Sequence, residues 1–211
     1  MFLTYALLTF AIFSLWLGAD PQAGFGRRYA WIALYLAACI AALAAGILQP
    51  LGLVWIGGLA AGLHAIFRPS ASHPQRIAAT ITSLSLTAGL MAHLLPGFNN
   101  PEVIASHRIT PDALPYRLFL NFDKASAGLL FLALCRPLLF QAGEFRVMFA
   151  RATPVAAGLI GVLLVTALTA GYVRFEPKFP PEAWLWLWAN LCLTCMAEEA
   201  VFRGFIQAQL Q

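Results

Sequence analysis

Charged residues are scarce in this sequence. Asp, Glu, Lys and Arg make up 10% of the 211 residues, whereas about 25% is usual in soluble domains. Hydrophobic residues account for 61% of the chain, against about 45–50% in soluble domains. A water-soluble fold of this size cannot bury so much apolar surface. The composition therefore excludes a soluble globular protein and indicates a protein embedded in lipid.

Cysteine is also rare. The four cysteines are Cys39, Cys135, Cys192 and Cys195, and all lie inside apolar segments. This placement argues against the disulfide framework of a small secreted protein. Cys192 and Cys195 form a C-x-x-C pair, which inside a lipid-spanning helix is better explained by packing than by redox chemistry.

The excess of basic residues does not indicate nucleic-acid binding. The net charge is +4 with 13 Lys and Arg, but most of these lie between apolar runs, where they determine the orientation of membrane helices. The loops after the first, third and fifth predicted spans carry arginines, while the N-terminus and the loop after the second carry none. The sequence therefore predicts no nucleic-acid partner, and an N-terminus outside the membrane.

The chain is rich in long apolar runs. They are roughly 15–22 residues long, close to the length that a helix needs to cross the bilayer. Barrel strands would instead be alternating segments of about ten residues. The sequence predicts an all-α fold, a polytopic transmembrane helical bundle forming one membrane-embedded domain over residues 1–211. The seven predicted spans are 2–19, 29–48, 51–67, 77–95, 125–140, 154–173 and 181–206, with a polar non-cytoplasmic loop at 98–124.

Most polar residues inside the predicted spans are weak functional signals. His64 and His93 are isolated imidazoles without a carboxylate or Cys at ligand spacing in their own spans, so hydrogen-bonded packing residues are the simpler interpretation. Trp184, Trp186 and Trp188 begin the seventh span and are typical of an interfacial aromatic belt.

The exception is a pair of adjacent carboxylates, Glu198 and Glu199, in the strongly apolar seventh span. Carboxylates at membrane depth are costly and usually face a bundle interior or a water-filled cavity. Adjacent helical residues point about 100° apart, so the two carboxylates cannot share one role. Glu199 and Arg203 are four residues apart in the favourable acid-first order and are predicted to pair. Glu198 is left without a local partner.

A carboxylate in that setting suits general acid–base chemistry. Asn190, Thr194 and Glu198 recur every four residues and are predicted to form the polar wall of a cavity. The structural alternative is an ion cluster near a helix end, with Arg203 extending to the membrane interface.

Residues 198–204, E-E-A-V-F-R-G, resemble the first signature motif of the CAAX protease and bacteriocin-processing (CPBP) intramembrane proteases, also called the abortive-infection family. The following residues G-F-I-Q match as well, and N-F-D-K at 121–124 is similar to a segment of bacterial members. The close resemblance covers about Met196–Gln207.

The resemblance implies an intramembrane endopeptidase in a bacterial inner (plasma) membrane. Glu198 would activate a water for attack on a peptide carbonyl, and Glu199 and Arg203 would brace the site. The substrate would be a peptide or membrane-protein segment in the lipid bilayer. The resemblance leaves the cofactor unknown, because the water could be activated by Glu198 without a metal or on a divalent metal.

The histidine motifs that follow the first motif in the family are missing from this sequence. No histidine here has Phe four residues before it or Asn four residues after it. The chain is therefore expected to be either an N-terminal piece of a longer protease or a shortened member without peptidase activity. Two other classes stay open: a non-enzymatic membrane immunity or scaffold protein that keeps the Glu-Glu-Arg cluster structurally, and a carrier that uses Glu198 as a proton site.

Overall fold

A computed structural model describes residues 1–20, 22–110, 113–135, 138 and 141–209. The helices in these ranges are α1 (Phe2–Gly18), α2 (Phe25–Ala44), α3 (Pro50–Phe67), α4 (His73–Met91), α5 (Phe122–Leu134), α6 (Ala142–Thr169), α7 (Ala183–Trp188) and α8 (Met196–Val201). Two π-helical segments, Ala189–Cys195 and Phe202–Gln207, precede and follow α8. The helical backbone is therefore continuous from Ala183 to Gln207.

The chain divides into two compact units. One comprises Met1–Leu138 and Glu182–Gln211, and the other comprises Leu139–Pro181 and contains α6. None of the described side chains of α6 is buried. All residues discussed below as a candidate site belong to the first unit.

The helical content confirms the predicted all-α class, with one small addition. Inside the predicted polar loop, β1 (Glu102–His107) and β2 (Tyr116–Phe119) pair as an antiparallel hairpin. The register is irregular: Glu102 faces Phe119, Ile104 faces Leu118 and His107 faces Tyr116.

Among the described residues, three helices are long and apolar enough to cross a membrane: α2, α3 and the Gly143–Thr169 part of α6. This favours association with a membrane. The helix α1 is apolar but shorter. The 13 residues of α5 extend about 20 Å, which is short of a hydrocarbon core of about 30 Å. The count of seven spans is therefore not confirmed, and of residues 136–140 in the predicted fifth span only Leu138 lies within the described residues.

Capping boxes mark the start of two of the helices that begin earlier than the apolar runs predicted. The helix α4 begins at His73 rather than 77, because Ser72 and Gln75 form a capping box that satisfies the first free N–H groups. The helix α6 begins at Ala142 rather than 154, with a capping box at Gln141 and Glu144 and with Pro154 inside the helix. In both cases polar residues extend the helix beyond its apolar part.

The helix α5 is the centre of the first unit. It contacts α1, α3, α4 and α8, and its residues from Phe122 to Phe131 are buried except for Lys124. Its small residues allow neighbouring backbones to approach closely. A Cβ added at Gly128 would lie 2.6 Å from the Cβ of Ala197 on α8. This contact fixes the helix that carries Glu198 and Glu199 against α5.

Candidate functional site

The two adjacent carboxylates of α8 lie in different polar surroundings. Arg203 Nε donates to Glu199 Oε2 at 2.9 Å, and both side chains are exposed. The four-residue spacing predicted this pair, and the structure confirms it.

Glu198 pairs with a residue far away in the sequence. Lys124 Nζ, from the first turn of α5, donates to Glu198 Oε1 at 3.2 Å. The Lys124 side chain is only 14% exposed, whereas that of Glu198 is 43% exposed. Local spacing does not predict this partner, although Lys124 belongs to the N-F-D-K segment that is similar to bacterial members of the family.

A cavity of about 340 Å³ lies beside this ion pair. Apart from Lys124 and Glu198, its walls are mainly apolar and come from α4 and from the residues just after Glu199, including Met91, Val201 and Phe202. A carboxylate at the wall of an apolar cavity is chemically suited to bind a water or a polar group of a hydrophobic ligand.

The Lys124–Glu198 contact also fixes where Glu198 lies along α5. Lys124 lies in the first turn of α5, and Glu198 lies in the first turn of α8. The ion pair brings them to one level, because α5 and the α8 segment are packed against each other and Phe131 meets Phe205 with ring centroids 5.2 Å apart. Glu198 therefore lies beside the first turn of α5.

The predicted polar stripe of Asn190, Thr194 and Glu198 is not a single wall. Asn190 and Thr194 line a second cavity of about 530 Å³, which Glu198 does not reach. The physical reason is the ion pair with Lys124, because Lys124 lines the first cavity and holds the Glu198 side chain there.

A second polar cluster surrounds Asp123, whose side chain is 2% exposed. Its Oδ1 accepts from Asn100 Nδ2 at 2.9 Å and from the Lys124 backbone N–H at 2.8 Å. His93 Nδ1 lies 2.8 Å from Oδ2. Asn100 Oδ1 in turn accepts from the Phe122 N–H at 2.9 Å. Asp123 thus joins the end of α4, the segment before β1 and the start of α5.

His93 is more than the packing residue that the sequence suggested. It follows the last turn of α4 with a φ of +58°, a conformation that is uncommon outside glycine and that clusters at functional sites. Its side chain is 41% exposed and lines the second cavity. No local sequence pattern connects His93 to Asp123, which is 30 residues away.

Within the described residues, no group of three or more His, Cys, Asp or Glu side chains is arranged to hold a metal ion. No protein-family model, no curated protein and no solved structure matches this chain.

Proposed function

We propose that this protein is a membrane-embedded endopeptidase of the CPBP type, in which Glu198 activates a water to hydrolyse a peptide bond. Glu199 and Arg203 brace the site, and Lys124 holds the Glu198 carboxylate in place. The substrate is a peptide or membrane-protein segment that reaches the apolar cavity beside Glu198.

The observation that carries this proposal is the division between the two neighbouring carboxylates. Glu199 is held on the surface of α8 by Arg203, whereas Glu198 faces Lys124 and the cavity. Two carboxylates in different surroundings are how active sites assign different roles to the same chemical group. In hydrolysis, Glu198 would take a proton from the attacking water and deliver it to the departing amine nitrogen.

The location is part of the same proposal. We place the chain in a bacterial inner membrane with the N-terminus outside and with about seven spans. The continuous helix from Ala183 to Gln207 has more than the roughly 20 residues that a membrane-spanning helix needs. The apolar exposed surface of α6 suits lipid in the same way.

The proposed activity depends on Glu198, so the Glu198→Gln variant is expected to lose cleavage. A general base contributes about 10²–10⁴-fold to rate, and glutamine has the same shape without the basic oxygen. We would produce the wild type and the variant from the full gene in a host lacking it. New N-termini in the membrane proteome would then be enriched and counted by mass spectrometry.

Glu176→Gln is the matched control. Glu176 is an exposed glutamate that pairs with Lys178, and both residues belong to the unit that does not contain Glu198. The wild type and the control should yield the same set of new N-termini, and the Glu198→Gln variant should lack it. If all three proteins gave the same set of new N-termini, the proposed endopeptidase activity would be overturned.

A second candidate is the non-enzymatic membrane scaffold or immunity protein. The observation that favours this function is the ion pair between Lys124 and Glu198, because an ion pair between α5 and α8 can hold the two helices together without any catalysis. If the protein is such a scaffold, the wild type and the Glu198→Gln variant should give the same N-termini, with none that depends on Glu198.

A further inference from the structure

The second cavity lies on the other side of the Asp123–Lys124 dipeptide from Glu198. Asp123 contacts His93 in this cavity, while Lys124 contacts Glu198 at the first one. Its volume of about 530 Å³ falls within the range of about 300–1,000 Å³ that is usual for ligand sites.

The cavity runs along one edge of β2. Three consecutive residues of the strand, Arg117, Leu118 and Phe119, line it. Successive side chains of a strand point to opposite faces, so a cavity that reaches all three lies beside the strand rather than over one face. The strand β1 occupies one edge, and the sheet has two strands in the part of the chain described. None of the described side chains of β1 lines the cavity, so the cavity lies toward the edge of β2 that has no strand partner.

The remaining lining is rich in groups that match a peptide main chain. Asn121, Asn190 and Thr194 all line the cavity. The Asn190 amide donates to the Trp186 carbonyl at 2.8 Å, which leaves its own carbonyl oxygen to accept from a ligand. The lining is neutral in balance, because Arg117 donates to both carboxylate oxygens of Glu102, at 2.6 and 2.7 Å. This pairing also lowers the pKa of Glu102.

His93 supplies an oriented acceptor. Its closest polar contact with the described residues is made through Nδ1, which lies 2.8 Å from Asp123 Oδ2. Oδ1 of Asp123 already accepts two hydrogen bonds. A carboxylate oxygen only accepts, so we assign the proton of the neutral imidazole to Nδ1, which faces Oδ2. In the neutral ring Nε2 then carries a lone pair on the side away from Asp123.

We propose that this cavity binds an extended peptide segment, which adds to the free edge of β2 as a third strand and donates a main-chain N–H to His93 Nε2. Such strand addition uses main-chain hydrogen bonds for affinity and pockets for alternate side chains. The inference rests on the proposed function, because the bound segment would be part of the peptidase substrate.

Photocrosslinking tests the site without requiring cleavage. Phe119→p-benzoylphenylalanine is introduced into the Glu198→Gln variant of the full chain in lipid nanodiscs. The probe is a biotinylated pool of uncharged ten-residue peptides, compared with the same pool N-methylated at every amide. Labelling by the methylated pool should be at least about tenfold weaker, because two or more hydrogen bonds of the added strand are lost. The matched control, Phe25→p-benzoylphenylalanine at an exposed position of α2, should label weakly and equally with both pools.

The outcomes separate this site from the proposed activity. Equal labelling by the two pools at position 119, or labelling no stronger than at position 25, would overturn the peptide site, even where wild-type protein produces Glu198-dependent N-termini. Strong labelling that N-methylation suppresses would support the peptide site, even where those N-termini are absent and the endopeptidase fails.

Discussion

Gly128→Val is expected to destabilise the first unit by about 2–3 kcal/mol, the cost of forcing extra volume into a closely packed interior. A Cβ at this position would already lie 2.6 Å from the Cβ of Ala197, and the neighbouring atoms are backbone of α8. Because backbone cannot move aside as a flexible side chain can, α8 must shift away from α5. The shift would also separate Glu198 from Lys124.

The matched control for this prediction is Gly57→Ala in α3, where an added Cβ meets nothing within 4 Å. Alanine there should leave the protein equally stable or raise its stability by about 0.4–1 kcal/mol. Equilibrium unfolding in detergent micelles, followed by far-ultraviolet circular dichroism, measures both variants. Gly128→Val with the stability of the wild type would show that α5 and α8 do not approach as closely as described.

Asp123→Ala is expected to cost on the order of 3 kcal/mol, because it leaves several hydrogen-bond donors without an acceptor in a buried place. These donors are the Asn100 amide, the Lys124 N–H and the His93 imidazole. Asp123→Asn keeps one acceptor oxygen but turns an NH₂ group toward His93 or Asn100, so an intermediate loss is expected.

Asp20→Ala provides the comparison for Asp123. Asp20 also accepts a backbone N–H, from Gln22 at 2.8 Å, but at the surface of a turn, where substitutions usually change stability by less than about 0.5 kcal/mol. Denaturant unfolding of the three variants gives the ranking. If Asp123→Ala were no more harmful than Asp20→Ala, the buried network around Asp123 would not be holding the ends of α4 and α5 together.

The presence of most helices could be predicted from the sequence, but several of their ends could not be read from apolar runs. Apolar length identifies the part of a helix that prefers lipid or core, and it says little about polar first turns. The capping boxes at Ser72 and Gln141 are the signals that would have extended α4 and α6. The hairpin at 102–119 lacked such a signal, because its pairing is irregular.

Some contacts of the candidate site could be predicted from local spacing, and others could not. The Glu199–Arg203 pair follows from helix geometry alone, since residues four apart are neighbours on an α-helix. The Lys124–Glu198 pair joins residues 74 positions apart, and only the packing of α5 against α8 brings them together. The Asn190–Thr194–Glu198 stripe failed because Lys124, on another helix, pairs with Glu198 at a different cavity. Such long-range contacts are set by tertiary packing.

A charge-swap cycle tests most directly whether Glu198 and the first turn of α5 form one site. The free energy of unfolding would be measured for the wild type, Lys124→Glu, Glu198→Lys and the double variant carrying both changes. Each single variant places two like charges together and should be less stable. The double variant should recover most of the loss, with a coupling energy of at least about 0.5 kcal/mol. Additive losses in the double variant would contradict the pairing of Lys124 with Glu198 and the site built on it.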